Sequence, residues 1–245
     1  MPSPISRSSW PGPQPACPEK QWKRPLSSAQ SAASVSFDDP YEKSFHVNVT
    51  GTLNALDFSL RLQTAPESPY VAHVGIETSY IHGRMKRELA REDEVVFPKN
   101  FYNNYYELTK AMASIETERF MMEKGLRVIE LCPSIVIGES QAGNNRGDAK
   151  VVNAPINLFG RAKQAAANTK GGIIERSTAV MLARMASVFP ADPSAQLNVI
   201  PVDWVVKGIL AALHKPEAVG ERIHLATDNR ISTAEMQEVM REELR

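Results

Sequence analysis

The feature that most constrains this chain is a pair of apolar segments, residues 70–76 and 126–132, which flank a polar loop and one helical stretch. Both segments have the length of strands, and Pro69 bounds the first. A strand, a helix and a second strand in this order favour parallel pairing. The sequence therefore predicts an α/β fold, a parallel sheet with flanking helices.

The helix between these strands carries a tyrosine and a lysine four positions apart, Tyr106 and Lys110. Asn104 and Glu107 form a capping-box variant, which predicts the start of the helix at this point. Side chains at i and i+4 share a helix face, and a nearby ammonium lowers the pKa of a phenol. The pair is therefore a candidate for proton transfer, although a packed tyrosine beside a solvated lysine gives the same spacing.

A hydroxyl-bearing segment, residues 77–83, follows the first apolar strand. In open parallel sheets, ligands bind at the carboxyl ends of the strands. Thr78 and Ser79 are therefore candidates for holding a carbonyl oxygen, with ordinary turn residues as the alternative. We expect His82, in the same segment, to lie in a surface loop.

The remaining chain divides into a tail and further α/β elements. Residues 1–30 are rich in proline and serine and show no periodicity, so they are predicted to be a disordered tail. A helix is predicted from Pro40 to about Leu62, with Asn48 either facing solvent or bonding into a site. Helices over a substrate cleft are predicted within residues 155–195.

Near the C-terminus, Leu197 opens a short strand that is followed by a helix to about His214, for which Asp203 is a candidate cap. A strand at residues 222–226 and a helix from about Thr233 complete the prediction.

Composition excludes several classes of function. The 28 basic and 28 acidic residues balance, so a nucleic-acid partner is not expected. No apolar run is long enough for a membrane span, and the five histidines show no metal-ligand spacing. The two cysteines are far apart in sequence, which fits a reducing cytoplasm.

Several segments, taken in order, resemble motifs of the extended short-chain dehydrogenase/reductases, in the branch of thioester reductases and fatty acyl-CoA reductases. The matching segments are Ser31–Phe37 (Asn-Ala-Ala-x-Val-x-Phe), Asn48–Thr52 (Asn-Val-x-Gly-Thr), Glu77–Gly83 (Ser-Thr-Ala-Tyr-x-x-Gly), Tyr106 with Lys110 (Tyr-x-x-x-Lys), Cys132–Gly138 (Arg-Pro-Ser-Ile-Val-x-Gly) and Asn198–Asp203 (Val-Pro-Val-Asp). The resemblance implies a Rossmann-like domain over residues 31–245, with substrate binding mainly in residues 139–245.

The resemblance also implies a reaction, the reduction of an acyl thioester on coenzyme A or a carrier protein with NADPH, or with NAD as the alternative cofactor. Thr78 would hold the oxyanion, Tyr106 would protonate it, and Lys110 would lower the pKa of Tyr106 and bind the nicotinamide ribose. The remaining residues implied to contact the cofactor are Ser31, Ala32, Ala33, Asn48, Pro133, Ser134 and Ile135.

Three departures from the motifs leave alternatives open. The chain has no Gly-x-x-Gly-x-x-Gly turn, Ser31 replaces an asparagine and Cys132 replaces an arginine. We therefore expect an N-terminally truncated member that lacks the first βαβ units. A nucleotide-sugar epimerase or dehydratase, a carbonyl reductase of the same superfamily, and a fragment without catalysis are the alternatives. The oligomeric state stays open.

Overall fold

The structure is a computed structural model that describes residues 26–85, 89–94, 97–144 and 192–243, with a few single positions between 160 and 181. In chain order its elements are β1 (Leu26–Gln30), α1 (Tyr41–Phe45), α2 (Gly51–Thr64), β2 (Tyr70–Ile76), α3 (Tyr105–Lys124), β3 (Val128–Pro133), β4 (Ile135–Ile137), β5 (Gln196–Leu197), β6 (Val199–Pro201), α4 (Val202–Leu213), β7 (Arg222–Leu225), β8 (Ile231–Ser232) and α5 (Thr233–Glu243). The predicted helices of residues 155–195 fall almost entirely outside the described residues.

A parallel sheet with the strand order β1-β2-β3-β7 forms the centre of the fold. All six residues of β3 are buried, as are most of β2, because helices cover both faces of the sheet. This burial explains why both strands read as continuous apolar runs in the sequence. The predicted α/β class with a parallel sheet is confirmed.

Two apolar cores lie on the two faces of this sheet. Helices α2 and α3 contribute to the first core, which contains Leu56, Tyr70, Phe120, Leu126 and Val128. Helix α4 contributes to the second, which contains Ala72, Val74, Ile129, Leu131, Ala212 and Ala218. Together the two cores fix β2 and β3, so the carboxyl ends of these strands are rigid positions for functional groups.

Strand β1 corrects the predicted boundary of the tail. Leu26–Gln30 pairs in parallel with β2, so the boundary predicted at residue 30 is wrong by these five residues. The Ser28 hydroxyl lies 2.6 Å from the Tyr70 hydroxyl and 2.7 Å from the Ser59 hydroxyl, and Leu26 packs against the first core. Residues 1–25 lie outside the described part of the chain.

Helix α3 begins where the capping pattern predicts. The Asn104 side chain accepts a hydrogen bond from the Glu107 backbone N–H at 2.9 Å, and the Glu107 carboxylate accepts one from the Asn103 N–H at 3.0 Å. The helix ends at Gly125, which is left-handed with φ of 65°. These caps place Tyr106 in the first turn, next to the end of β2.

A smaller C-terminal part contains the short pairs β4–β6, which is parallel, and β5–β8, which is antiparallel. Helix α4 starts directly after β6, with Pro201 at its N-cap. The prediction that Asp203 caps this helix is wrong, because its carboxylate accepts hydrogen bonds from the Ser140 N–H at 2.9 Å and the Ser140 hydroxyl at 2.8 Å.

Candidate active site

Thr78 is held immediately after β2. The N–H of the preceding residue, Glu77, donates to the Leu131 carbonyl at 2.8 Å and continues the sheet pairing by one position. Thr78 then caps a 3-10 turn at Ser79–His82, and its hydroxyl oxygen accepts from the Tyr80 N–H at 3.3 Å. The side chain is 6 % exposed. These contacts fix the Thr78 hydroxyl at the mouth of the sheet.

A glycine ends this segment for a steric reason. Gly83 has φ of 66°, and a Cβ atom there would lie 2.9 Å from the Phe101 carbonyl oxygen. The turn that returns the chain from Thr78 to the loop before α3 therefore requires glycine. This explains the last position of the Glu77–Gly83 motif.

The phenol of Tyr106 meets Thr78 from the first turn of α3. Burial raises the pKa of Tyr106, Lys110 lowers it, Glu77 raises it, and a hydrogen bond with the Thr78 side chain lowers it; the net shift is upward. Lys110 therefore acts in the predicted direction, but burial outweighs it. The structure brings the Thr78 and Tyr106 hydroxyls together, as the sequence predicts.

Lys110 is buried behind this pair. Its Nζ donates to the Ile76 carbonyl at 2.8 Å and lies 2.8 Å from Oε2 of Glu77, with both side chains 2 % exposed. Burial lowers the pKa of Lys110, but Glu77, Tyr106 and Cys132 together raise it more, and the net shift is upward. Lys110 is therefore a charged lysine paired with a carboxylate, a contact that sequence reasoning missed.

A cavity of about 340 Å³ opens in front of the two hydroxyls. Its lining residues come from the segments that follow β1 and β2, from the end of β3, from β4 and from α3: Val35, Phe37, Glu77, Thr78, Tyr80, Tyr106, Glu107, Pro133, Ser134, Ile135 and Val136. Pro133, Ser134 and Ile135 line this cavity, and their predicted contact with a cofactor stays a prediction. Sequence reasoning did not select Val35 and Phe37, although both belong to the quoted Ser31–Phe37 motif.

Asn48 lies beside the site with its amide fully engaged. It is 1 % exposed, accepts from the Ser34 N–H at 2.7 Å and donates to the Ser34 carbonyl at 3.2 Å. It also donates to the Thr109 hydroxyl at 2.9 Å. Asn48 therefore ties the segment that carries Val35 and Phe37 to α3, and its predicted contact with a cofactor stays a prediction.

Ser31, Ala32 and Ala33 follow the carboxyl end of β1, and Ser31 and Ala32 are exposed. They do not line the cavity. The parallel register places them at the same edge of the sheet as Thr78 and Pro133. Their predicted contact with a cofactor also stays a prediction.

His82 is not a surface residue, so that expectation is wrong. It is 2 % exposed, and its Nε2 lies 3.1 Å from Nε2 of His224 on β7. Burial lowers the pKa of His82 to about 4. Within the described ranges, no three His, Cys, Asp or Glu side chains converge in a way that could hold a metal ion.

The fold and these residues match a known family. The model of the NAD-binding family described as male sterility protein matches residues 29–209. The chain belongs to the male sterility protein family. This placement confirms the resemblance to extended short-chain dehydrogenase/reductases and confirms a nicotinamide dinucleotide as the cofactor class of the family. No curated protein sequence matches the chain.

Solved structures share the fold of this family member. The terminal R domain of the myxalamid PKS-NRPS biosynthetic pathway is 23 % identical, with a TM-score of 0.65 over 87 % of this chain and 46 % of that one. RMD from Pseudomonas aeruginosa, complexed with NADPH, is 16 % identical, with a TM-score of 0.60 over 89 % of this chain and 66 % of that one.

A UDP-glucose 4-epimerase from Thermotoga maritima, solved with UDP-glucose, is 17 % identical, with a TM-score of 0.62 over 88 % of this chain and 60 % of that one. The male sterility family chain thus spans about half to two thirds of these proteins. None of the helices in its described part is long and apolar enough to cross a membrane.

Proposed function

We propose that this chain is a reductase that uses NADPH to convert an acyl thioester into an aldehyde and a free thiol. The observation that carries the proposal is that the side chains of Thr78 and Tyr106 meet on the wall of one cavity. Two preorganised O–H donors at one point suit a carbonyl oxygen that becomes negatively charged during the reaction.

The cavity fits the nicotinamide end of the cofactor. The Ser134 hydroxyl is buried and has no hydrogen-bond partner among the described residues, which suits a carboxamide group. A lysine ammonium has three N–H donors. Lys110 donates one to the Ile76 carbonyl and forms an ion pair with Glu77, so an N–H is left for a ribose hydroxyl. Pro133 and Ile135 would complete the apolar wall.

When bound, NADPH supplies a hydride to the carbonyl carbon. Thr78 holds the oxygen as its negative charge develops, and Tyr106 donates its phenolic proton to that oxygen. The carbon–sulfur bond of the resulting hemithioacetal then breaks, the hydroxyl proton is released, and the thiolate takes up a proton. One hydride and one net proton are consumed, which balances a two-electron reduction to the aldehyde.

A second cavity offers space for the acyl part of the substrate. Phe37 packs against the Tyr106 ring with 5.7 Å between the centroids and also lines a cavity of about 570 Å³. Several further rings line that cavity: Phe97, Phe101, Tyr102 and Tyr105. Aromatic walls suit an apolar acyl chain. The likeness to a terminal R domain supports a thioester on coenzyme A or on a carrier protein.

A cytoplasmic setting stays a prediction.

The proposal is tested by following NADPH absorbance with a series of acyl-CoA thioesters. UDP-glucose is tested separately in the presence of NAD, with chromatography of the sugar nucleotide, because its epimerisation consumes no NADPH. We expect turnover of at least one acyl-CoA. Tyr106→Phe should reduce it by about 10²–10⁴-fold. Tyr41→Phe is the matched control, because Tyr41 is 36 % exposed and lines neither cavity.

The outcomes separate the alternatives. Equal turnover in Tyr106→Phe and wild type would remove the proposed proton donor. Conversion of UDP-glucose alone would favour the epimerase alternative, for which the Thermotoga structure supplies the precedent. Failure to bind NADPH saturably would favour a fragment without catalysis, because the sequence has no glycine-rich turn for the cofactor phosphates.

A further inference from the structure

Glu77 is a buried carboxylate that the proposed reaction does not use. It directly precedes Thr78, its side chain is 2 % exposed, and it occupies the position at which the quoted Ser-Thr-Ala-Tyr-x-x-Gly motif has a serine. A buried charge is costly unless it is paired, so its presence beside the reacting hydroxyls needs a physical reason.

The contacts of Glu77 define a binding position for one ammonium group. Its Oε2 and the Ile76 carbonyl oxygen both lie 2.8 Å from Nζ of Lys110. The Glu77 backbone is itself fixed, since its N–H donates to the Leu131 carbonyl at 2.8 Å. A serine side chain is two bonds shorter than a glutamate side chain and carries no charge, so it could neither reach nor neutralise the lysine in the same way.

The pairing changes the charge that the Tyr106 phenol experiences. A lone ammonium beside a phenol stabilises the phenolate, whereas an ammonium that is paired with a carboxylate does so much less. Glu77 raises the pKa of Tyr106 and so opposes Lys110, and together with burial it leaves the phenol protonated well above neutral pH.

We propose that Glu77 is a positioning residue that holds Lys110 in place and keeps Tyr106 protonated, so that Tyr106 enters the reaction as a proton donor. The inference rests on the proposed function, because it assigns Tyr106 the donor role in thioester reduction. A site that had to begin by removing a proton from an alcohol would need the phenolate, which this arrangement disfavours.

Other charged and titratable groups also surround Glu77 and the phenol and must be held constant in any test. They are Lys110 and Glu107 on α3, Glu130 and Cys132 on β3, Arg222 on β7, and Tyr80 on the 3-10 turn. Among the described residues, only Lys110 forms an ion pair with Glu77. Substitutions at Glu77 therefore probe the pairing itself.

The test is an ultraviolet titration of the Tyr106 phenol, taken as the difference between each protein and its Tyr106→Phe counterpart, over the pH range in which circular dichroism shows the native fold. It requires neither cofactor nor substrate. In wild type, Tyr106 should be less than half ionised at pH about 10, the ordinary phenol pKa. More than half ionisation there would overturn the proposal without any variant at Glu77.

Three variants sharpen the test. Glu77→Gln keeps the shape and removes the charge, Glu77→Ser restores the residue of the motif, and Glu77→Asp keeps the charge. We expect the midpoint of Tyr106 to fall by at least about one pH unit, a tenfold change, in the first two. Glu77→Asp should remain closer to wild type than Glu77→Gln. Equal midpoints in wild type and Glu77→Gln would overturn the proposal.

The pH profile of thioester reduction provides the second measurement. Loss of rate on the alkaline side should begin at a lower pH in Glu77→Gln than in wild type, by the same shift as the phenol midpoint. If no thioester is reduced but the midpoint shifts, the proposed function fails and the role of Glu77 on the phenol stands. If reduction occurs and its profile ignores Glu77, the role of Glu77 fails alone.

Discussion

Replacing Arg222 with methionine should destabilise the protein by an amount that grows with pH. The Arg222 side chain is 5 % exposed, and it donates to Glu130 at 2.7 Å and to Glu118 at 2.7 Å. It also donates to the Ser114 hydroxyl at 3.2 Å. Glu130 is 3 % exposed, so without Arg222 its carboxylate has no buried cation beside it.

The magnitude follows from the titration of Glu130. Burial raises the pKa of Glu130 to about 7 even though Arg222 lowers it. Because this pKa lies above the ordinary value, the free energy of unfolding of wild type falls as pH rises towards about 7. Above about pH 7, Glu130 causes no further fall in wild type. Without Arg222 the pKa rises further, so the loss continues at about 1.4 kcal/mol per pH unit.

Lost hydrogen bonds to charged groups add a further amount, and we expect a total of about 3 kcal/mol at pH 8 and about 1–2 kcal/mol less at pH 6. The assay is urea unfolding of wild type and Arg222→Met at several pH values. The double variant with Glu130→Gln is the control and should lose the pH-dependent part. A difference that is constant from pH 6 to pH 8 would refute this reasoning.

Three further substitutions test the scaffold of the site. Asn48→Ala should lower the free energy of unfolding in urea by about 2–3 kcal/mol, because it leaves the Ser34 N–H unpaired. Thr64→Ala on the exposed end of α2 should lower it by less than about 0.5 kcal/mol. Equal losses would contradict the role of Asn48 in joining the Ser34 segment to α3. Gly83→Ala should lower stability by about 2 kcal/mol or more. This loss should exceed that of Gly125→Ala, where φ is similar but a Cβ atom would meet no atom within 4 Å. A larger loss in Gly125→Ala, measured by thermal unfolding, would contradict the steric reason given for Gly83. Ser134→Ala should leave stability nearly unchanged and raise the KM for NADPH several-fold, and an unchanged KM would remove Ser134 from the cofactor pocket.

The sequence predicted the elements whose signal is local. The apolar run that begins after Pro69 gave β2 with its observed bounds, Tyr70–Ile76, because a strand buried on both faces needs apolar residues throughout. The start of α3 was predictable because Asn104 and Glu107 satisfy the first turn themselves. Strand β1 was missed because the polar segment Leu26–Gln30 shows no periodicity and relies on hydroxyl contacts instead.

The site residues that belong to a sequence motif could be predicted. The contacts that the fold makes between residues far apart in sequence, outside any motif, could not. Thr78, Tyr106 and Lys110 were found from their motifs, and the structure brings them together. The Glu77–Lys110 pair and the His82–His224 contact join residues that are far apart in sequence, so no spacing could predict them. Asn48 was selected for a cofactor contact, but its partners are Ser34 and Thr109. Only the fold brings them near, because the π-helical turn His46–Thr50 that carries Asn48 packs against α3.

The central claim is that the Thr78 and Tyr106 hydroxyls act on the same carbonyl oxygen. It is tested most directly by single-turnover rates of acyl-CoA reduction in Thr78→Val, Tyr106→Phe and the double variant, at saturating NADPH. Residues that act as one unit are not additive, so we expect each single variant to lose at least about 10²-fold and the double variant to be little slower than the worse single one. Fully multiplicative losses, or near-normal turnover in Tyr106→Phe, would contradict the claim.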